Sequence, residues 1–302
     1  MKILITGGSG FIGTHVSEIL NKNHSVKIFD SRKPSSSSLG FINGDITDLQ
    51  SVITKVGDCD VVIHLAAVVG VERTETDPIK TLDVNTGGTK NVLEACRAND
   101  IKKIIFSSSS EVYGEPLKVP TEETDATIPI TVYGVSKLAA EEYVKSYAKN
   151  YGIKYSILRF FSVYGPGQSI NFVIPRFVSL AIEHQPITIH GDGSQIRTFC
   201  HVKDIANAIA LALEGGDNEI FNIGNDNEPI SIKELAQKVV NTVDSESNLV
   251  FLPFEESNRN RIKEIMHRIP NIEKAKELLG YEPVVSLEEG INTIIRTLRS
   301  GE

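Results

Sequence analysis

The sequence is poor in what would tie it to a metal, a membrane or a polyanion. Cysteine occurs three times in 302 residues, as Cys59, Cys96 and Cys200. These are scattered, odd in number and without metal-ligand spacing, so no disulfide framework and no metal site is expected, and each reads as a buried apolar residue. Positive charge is in deficit: the net charge is −8, which argues against a nucleic-acid or anionic-membrane partner. Any anionic ligand must then be held by local arginines. No apolar run approaches the length that crosses a bilayer. No signal peptide is expected ahead of the first strand at Lys2, and a cytoplasmic location is expected. There is no internal repeat, and low complexity is confined to Ser35–Ser38.

What the chain does have begins at its second residue. Lys2-Ile3-Leu4-Ile5-Thr6 is a strand-like run, Gly7 to Gly13 is a glycine turn, and Thr14 to Leu20 has helical spacing with Ile12, Val16, Ile19 and Leu20 on one side. Gly8, Gly10 and Gly13 satisfy G-x-G-x-x-G, and Gly7, Gly10 and Gly13 satisfy G-x-x-G-x-x-G, in the strand-turn-helix context where such spacing predicts a dinucleotide site. Glycines there permit a tight turn and close approach to a pyrophosphate, which sits at the helix N-terminus. A second strand, Ser25–Phe29, ends in Asp30, an acid placed to take the ribose hydroxyls of NAD and repel the phosphate of NADP. Arg32 and Lys33 next door are basic residues that could accept that phosphate.

Strand-like and helical patterns alternate through the first half, the signature of a parallel sheet with helices on both faces. Gly40–Asn43 predicts a strand ending at Gly44-Asp45-Ile46, where Asp45 is either a loop cap or a partner of the adenine amino group. Asp60–Ala67 predicts a buried strand with small residues at its end, and His64 reads as a core histidine. Asp77 to Asn99 predicts one long helix carrying Asn85. Lys103–Phe106 predicts a strand running into a serine cluster, Ser107 to Ser110, followed by Glu111, a segment that would face the substrate. Tyr133 and Lys137 share one face of the helix that follows, at i and i+4, so the ammonium can sit beside the phenol. Beyond Phe160 the alternation loosens. Short elements follow, and Leu249 to Met266 reads as a polar, Arg-rich stretch.

Together these motifs resemble the extended short-chain dehydrogenase/reductase superfamily, in its nucleotide-sugar epimerase and dehydratase branch, which includes the UDP-glucose 4-epimerases. T-G-G-x-G-F-I-G matches Thr6–Gly13, Gly-Asp-Ile matches Gly44–Ile46, and H-L-A-A matches His64–Ala67. S-S-S…V-Y-G matches Ser107–Gly114, Y-G-x-S-K matches Tyr133–Lys137, V-Y-G-P matches Val163–Pro166, and the G-D-G-x-Q-x-R…H-V-x-D-I signature matches Gly191–Ile205.

The resemblance implies an α/β fold: a doubly wound parallel (Rossmann) sheet with a smaller C-terminal substrate lobe. Residues 1–165, with 198–223 returning, would bind NAD, and 166–197 with 224–302 would bind the sugar nucleotide. The implied cofactor contacts are Gly7, Gly10, Phe11, Ile12, Gly13, Asp30, Asp45, Ile46, Leu65, Ala66, Ala67, Asn85, Ser107, Tyr133 and Lys137. The implied substrate contacts are Ser109, Ser110, Tyr133, Ser162, Asn171, Arg197, Arg261 and Glu264, and a homodimer is implied through the helices Asp77–Asn99 and Val135–Tyr151.

By resemblance, Tyr133 is the base at the sugar 4-hydroxyl, Ser109 orients the same oxygen, and NAD takes the C4 hydride to give a 4-keto sugar. A free tyrosine pKa is about 10, so Lys137 and the positive nicotinamide are expected to favour the phenolate. The step after oxidation separates the readings. The first is a UDP-hexose 4-epimerase. The alternative is a UDP-glucuronate decarboxylase or a 4,6-dehydratase using Glu111, with Arg268 standing where decarboxylases carry a functional arginine. A third is a silent NAD-binding regulator. Two departures bear on this: Ser162 stands where many 4-epimerases have Asn, and Ser110-Glu111 stands where thymidine-linked dehydratases have Asp-Glu.

Overall fold

In the structure, a computed structural model describing residues 1–34, 39–256 and 264–300, alternation within single strands builds the core. In β1 (Lys2–Thr6), Ile3 and Ile5 face one side of the sheet and Leu4 the other, the period of two that pleated backbone imposes. The same split recurs in β4 (Val61–His64) and β5 (Lys103–Ser109): Ile63 and Ile105 join the first side, Val62, Ile104 and Phe106 the second. Helix α1 (Phe11–Leu20) and the later helix Val202–Glu214 cover the first face. Leu49–Val56 (α2), Gly88–Ala98 (α3) and Val132–Tyr151 (α4) cover the second.

With β2 (Ser25–Asp30), β3 (Gly40–Asn43), β6 (Lys154–Phe160) and β7 (Glu219–Ile223), these strands form a seven-stranded sheet in the order β7-β6-β5-β4-β1-β2-β3. Every neighbouring pair is parallel. All seven carboxyl ends therefore lie along one edge, and the order reverses direction between β1 and β4. That is where open α/β sheets bind ligands.

Between β6 and β7, and again after β7, the chain builds a third apolar cluster. It joins Ile174 and Phe177, Leu235 and Val239, and Ile291 and Ile294, from helices Val173–Ile182, Ile232–Val243 and Leu287–Ser300. Short strand pairings finish this region: Ile196–Arg197 lies between antiparallel Ile230–Ser231 and parallel His267–Arg268, and Leu249–Leu252 runs parallel to Ile187–His190.

Three sequence expectations change. The helix expected over Asp77–Asn99 is helical at Pro78–Leu82, a π-helical turn at Asp83–Gly87, then α3; such turns recur at functional sites, and Asn85 lies inside this one. The strand expected over Lys103–Phe106 extends through Ser107–Ser109. The stretch Leu249–Met266, read only as polar and Arg-rich, begins with a strand whose partner is 62 residues upstream, a pairing local pattern does not reveal.

Ile63, at zero exposure in central β4, sets a stability expectation. Ile63→Ala should cost about 2–5 kcal/mol in urea unfolding. Leu117→Ala, at an 88% exposed position, should change stability by less than about 0.5 kcal/mol.

Candidate active site

The glycine turn caps the crevice at the β1/β4 switch. Gly7 is in the left-handed region at φ +71°, and a Cβ on it would lie 2.6 Å from the backbone nitrogen of Ala66. A Cβ on Gly13 would lie 2.4 Å from the Gly7 carbonyl oxygen. Only glycine lets the turn, the segment after β4 and the start of α1 pack this closely. Gly10 is the extended N-cap of α1, and the first intrahelical bond runs from the Thr14 N–H to the Gly10 carbonyl. The N–H groups of Phe11, Ile12 and Gly13 thus stand ahead of it, at the positive end of the helix dipole. At the end of β2, the buried Asp30 carboxylate accepts the Ser9 N–H at 3.0 Å and the Arg32 N–H at 2.9 Å. Each oxygen keeps capacity for one further donor. A dinucleotide fits this cradle, which a side chain at either glycine would fill.

Asp45 is exposed, and its Oδ1 accepts the Thr47 N–H and hydroxyl at 2.9 and 2.8 Å, so within the chain it caps its own turn. Ile46 is buried, packed so that a Cβ on Gly88 would touch its Cδ1 at 2.5 Å. Leu65 to Ala67 follow β4, with Ala66 lying against Gly7. The buried Asn85 uses its whole carboxamide internally. Oδ1 accepts the Val68 N–H at 2.7 Å, and Nδ2 donates to the Val68 carbonyl at 3.1 Å and to Ser136 Oγ at 3.0 Å. It pins the segment after β4 to α4.

His64 carries a determinable tautomer. Thr89 Oγ1 spends its proton on the Asn85 carbonyl at 2.6 Å, so His64 Nε2, 2.9 Å away, is the donor to it. Nδ1 then accepts from Thr6 Oγ1 at 2.6 Å, and Thr6 Oγ1 in turn accepts the Ala66 N–H at 3.4 Å. Burial first, and the Lys137 charge second, push the His64 pKa down to about 3.

The chemistry-bearing residues converge where β5 meets α4. Ser107 Oγ donates to the His64 carbonyl at 2.9 Å, and Lys137 Nζ donates to the Ser107 carbonyl at 2.8 Å. That ammonium sits 5.0 Å from the Phe106 ring centre and 5.8 Å from that of Tyr133. Burial lowers the Lys137 pKa to about 7. Ser109 Oγ accepts the Glu111 N–H at 3.2 Å and interacts with the Tyr133 phenol. Ser110 is buried at the start of the one-turn helix Ser110–Val112.

Tyr133 departs from its expectation: its pKa is raised. Burial is the largest cause and the Glu111 carboxylate the next, outweighing the Ser109 hydroxyl and the Arg268 guanidinium, which favour the phenolate.

Both Glu111 oxygens are engaged. Thr131 Oγ1 donates to Oε2 at 2.7 Å, and Arg268 Nη1 lies 3.3 Å from Oε1. Thr131 is also the N-cap of α4, accepting the Gly134 N–H at 2.9 Å. A threonine directly ahead of a helix, accepting the N–H three residues on, is a legible cap, but its second task on Glu111 is not. Glu115 accepts the Met266 N–H at 2.5 Å and pairs with His267 at 3.2 Å. Two carboxylates four residues apart therefore hold the strand that brings Arg268 in.

Arg197 and Glu264 form a separate pair, Nη2 to Oε1 at 3.2 Å, with Arg197 also donating to the Ile265 and Met266 carbonyls. Ser162 is half-buried at φ +29°, its carbonyl accepting the Cys200 N–H. Asn171 is exposed, with a local bond to Ser169. Arg261 lies outside the described residues.

The sequence profile of the NAD dependent epimerase/dehydratase family matches residues 3–224. A UDP-N-acetyl-alpha-D-glucosaminuronate decarboxylase of Bacillus cytotoxicus is 35% identical, over 100% of this chain and 98% of its own. The crystal structure of UDP-glucose 4-epimerase from Thermotoga maritima with UDP-glucose superposes with a TM-score of 0.93 at 33% identity, covering 100% of this chain and 99% of that one. UDP-glucuronic acid 4-epimerase from Bacillus cereus, in complex with UDP-glucuronic acid and NAD, superposes at 0.90 with 34% identity and full coverage of both chains.

The buried neutral imidazole makes an acid-side prediction. Unfolded His64 binds its proton near pH 6.5, folded His64 only near pH 3. Stability from this group is present above pH 6.5 and falls as pH drops toward 3. Urea unfolding from pH 7 to pH 4 should show this loss, and His64→Gln should flatten the slope although it lowers stability at pH 7.

Proposed function

The chain belongs to the NAD-dependent epimerase/dehydratase family, and on that premise we propose that it is a nucleotide-sugar 4-epimerase acting on a UDP-hexose of the glucose/galactose type. In this reading Gly7, Gly10, Phe11, Ile12 and Gly13 hold the pyrophosphate of NAD, Asp30 its ribose, Asp45 and Ile46 the adenine, and Leu65–Ala67, Ser107, Tyr133 and Lys137 the nicotinamide end. Asn85 supports that wall through Val68 and Ser136. Residues 1–165 with 198–223 serve the cofactor. Residues 166–197 and 224–302 serve the sugar nucleotide, through Ser162, Asn171, Arg197, Arg261 and Glu264. When bound, NAD supplies a reversible hydride acceptor for the sugar's C4.

The chain's own residues manage the proton. Tyr133 Oη exchanges it with the sugar 4-hydroxyl, and the Ser109 hydroxyl orients the same oxygen. The Lys137 ammonium lies beside the phenol ring, and Ser109 and Arg268 oppose the burial that otherwise keeps the phenol protonated.

One observation carries the choice of epimerase. Glu111 has both oxygens occupied, by Thr131 and Arg268, so no free carboxylate stands ready for chemistry beyond C4. The Arg268 guanidinium favours the second reading, decarboxylation of a UDP-uronate, because a substrate carboxylate could replace Glu111 as its partner. A silent NAD-binding role is disfavoured by the convergence of Tyr133, Ser109 and Lys137.

Product mass separates these readings. Incubated without reductant with UDP-glucose, UDP-galactose, UDP-glucuronate, their N-acetyl relatives and GDP-mannose, the protein should give a product of unchanged mass, inverted at C4 of a UDP-hexose. Tyr133→Phe should lower turnover by about 10²–10⁴-fold with NAD still bound, and Glu111→Gln should largely preserve it. Loss of carbon dioxide from UDP-glucuronate, abolished by Glu111→Gln, would instead establish the decarboxylase.

The outward faces of Pro78–Leu82 and α4 leave Ile79, Leu82 and Val135 exposed. We propose that these faces meet across a two-fold axis in a homodimer, the commonest closed assembly. Light scattering at micromolar concentration should give twice the chain mass; a monomer would refute the pairing.

A further inference from the structure

Tyr133 and Lys137 continue into a third residue on the same helical stripe. Glu141, one turn past Lys137, is fully buried. Its Oε1 accepts the Ser108 hydroxyl at 2.5 Å and Arg159 Nε at 2.9 Å, and its Oε2 accepts Arg159 Nη2 at 2.7 Å. Ser108, Arg159 and Asn222 are direct register partners across β5, β6 and β7, a polar row under α4 in an otherwise apolar layer. Arg159 Nη1 donates to the Tyr113 hydroxyl at 2.8 Å, and Tyr113 donates to Asn222 Oδ1 at 2.7 Å. Tyr113 closes the turn that carries Glu111.

We propose that Glu141, fully buried and bonded within the chain to Ser108 and Arg159, is a positioning residue for the Tyr133–Lys137 pair: it anchors the β5 serine end through Ser108 and supplies the counter-charge for the Lys137 ammonium. This rests on the activity proposed above.

A buried Arg–Glu pair is weak evidence for stability by itself, since apolar replacements often do as well. Its placement one turn from Lys137 points to another role. The titratable groups facing Lys137 are Tyr133 and Glu141 on its own helix and His64 on β4, with Arg159 beyond Glu141. His64 stays neutral, and Tyr133 keeps its proton. Glu141 is thus the anion that opposes the burial of Lys137.

The test follows the titration of Lys137 in full-length protein carrying [13Cε]lysine, its resonance identified by its absence in Lys137→Arg. Without the anion, the ammonium is lost at lower pH. Glu141→Gln should therefore lower the titration midpoint by about one pH unit or more. The alkaline limb of kcat/KM for the sugar nucleotide should move the same way. Glu141→Gln leaves Arg159 buried without a partner, so the double variant Glu141→Gln/Arg159→Gln, which buries no lone charge, is expected to show a smaller shift in the same direction.

An unmoved midpoint in a folded variant overturns the inference while leaving the activity standing, and so does failure of both variants to fold. Wild-type protein inactive on every nucleotide sugar removes the activity reading and the positioning role with it, even where the midpoint shifts.

Discussion

The site depends on one buried polar chain that cannot be partly made. It runs from Thr6 at the end of β1, through the neutral His64 at the end of β4, to Thr89 on α3 and Asn85 in the π-helical turn, and from there to Val68 and Ser136. From Thr6 to the Asn85 carbonyl every bond runs in one direction, because Thr89 has a single proton and spends it there, and the Asn85 carboxamide then exchanges bonds both ways with Val68. A buried polar group left without its partner costs about 1–3 kcal/mol, so removing one member penalises its neighbours as well. The benefit is alignment. The glycine turn, the segment after β4 and the start of α4 come from sequence positions far apart, and this chain locks them to one another.

Charge is handled locally. With a net charge of −8, the molecule has no overall field to draw in an anion, and three buried or half-buried arginines are each matched to an acid: Arg197 to Glu264, Arg268 to Glu111, Arg159 to Glu141. The three pairs differ in setting. Arg159–Glu141 is sealed from water, whereas Arg268–Glu111 retains partial exposure. Screening over a Debye length of about 8–10 Å weakens the second far more than the first. At Tyr133 the balance is decided by proximity and burial. A hydroxyl and a guanidinium favour the anion, yet enclosure and the Glu111 carboxylate outweigh them.

The glycine turn, the strand bounds at β1 to β3 and the Tyr133–Lys137 spacing were legible because each is set by neighbours a few residues away. The strand expected over Lys103–Phe106 stopped short of Ser107–Ser109 because serine has little strand preference. What keeps them in β5 is the β4 and β6 backbones on either side, which no local window contains. Leu249–Leu252 was missed for the same reason. Glu111 was legible as a carboxylate near the chemistry, but not its confinement, because Thr131 and Arg268 reach it from 20 and 157 residues further along the chain. Glu141 was invisible: an acid on an alanine-rich helix reads as a solvated face until Arg159 is seen beneath it.

His267–Arg268 pairs beside Ile196–Arg197, and Thr121 donates its N–H to Ile269 and accepts from Asn271. The loop after the one-turn helix is thus stitched to residues about 150 positions further along the chain. The glycine turn and the first six strands all lie before this seam in the sequence. The cation beside Glu111 therefore comes from a contact of long sequence separation, and such contacts carry the entropy of closing a long loop. Local unfolding of the seam would remove Arg268 from Glu111 while leaving the glycine turn and its strands paired.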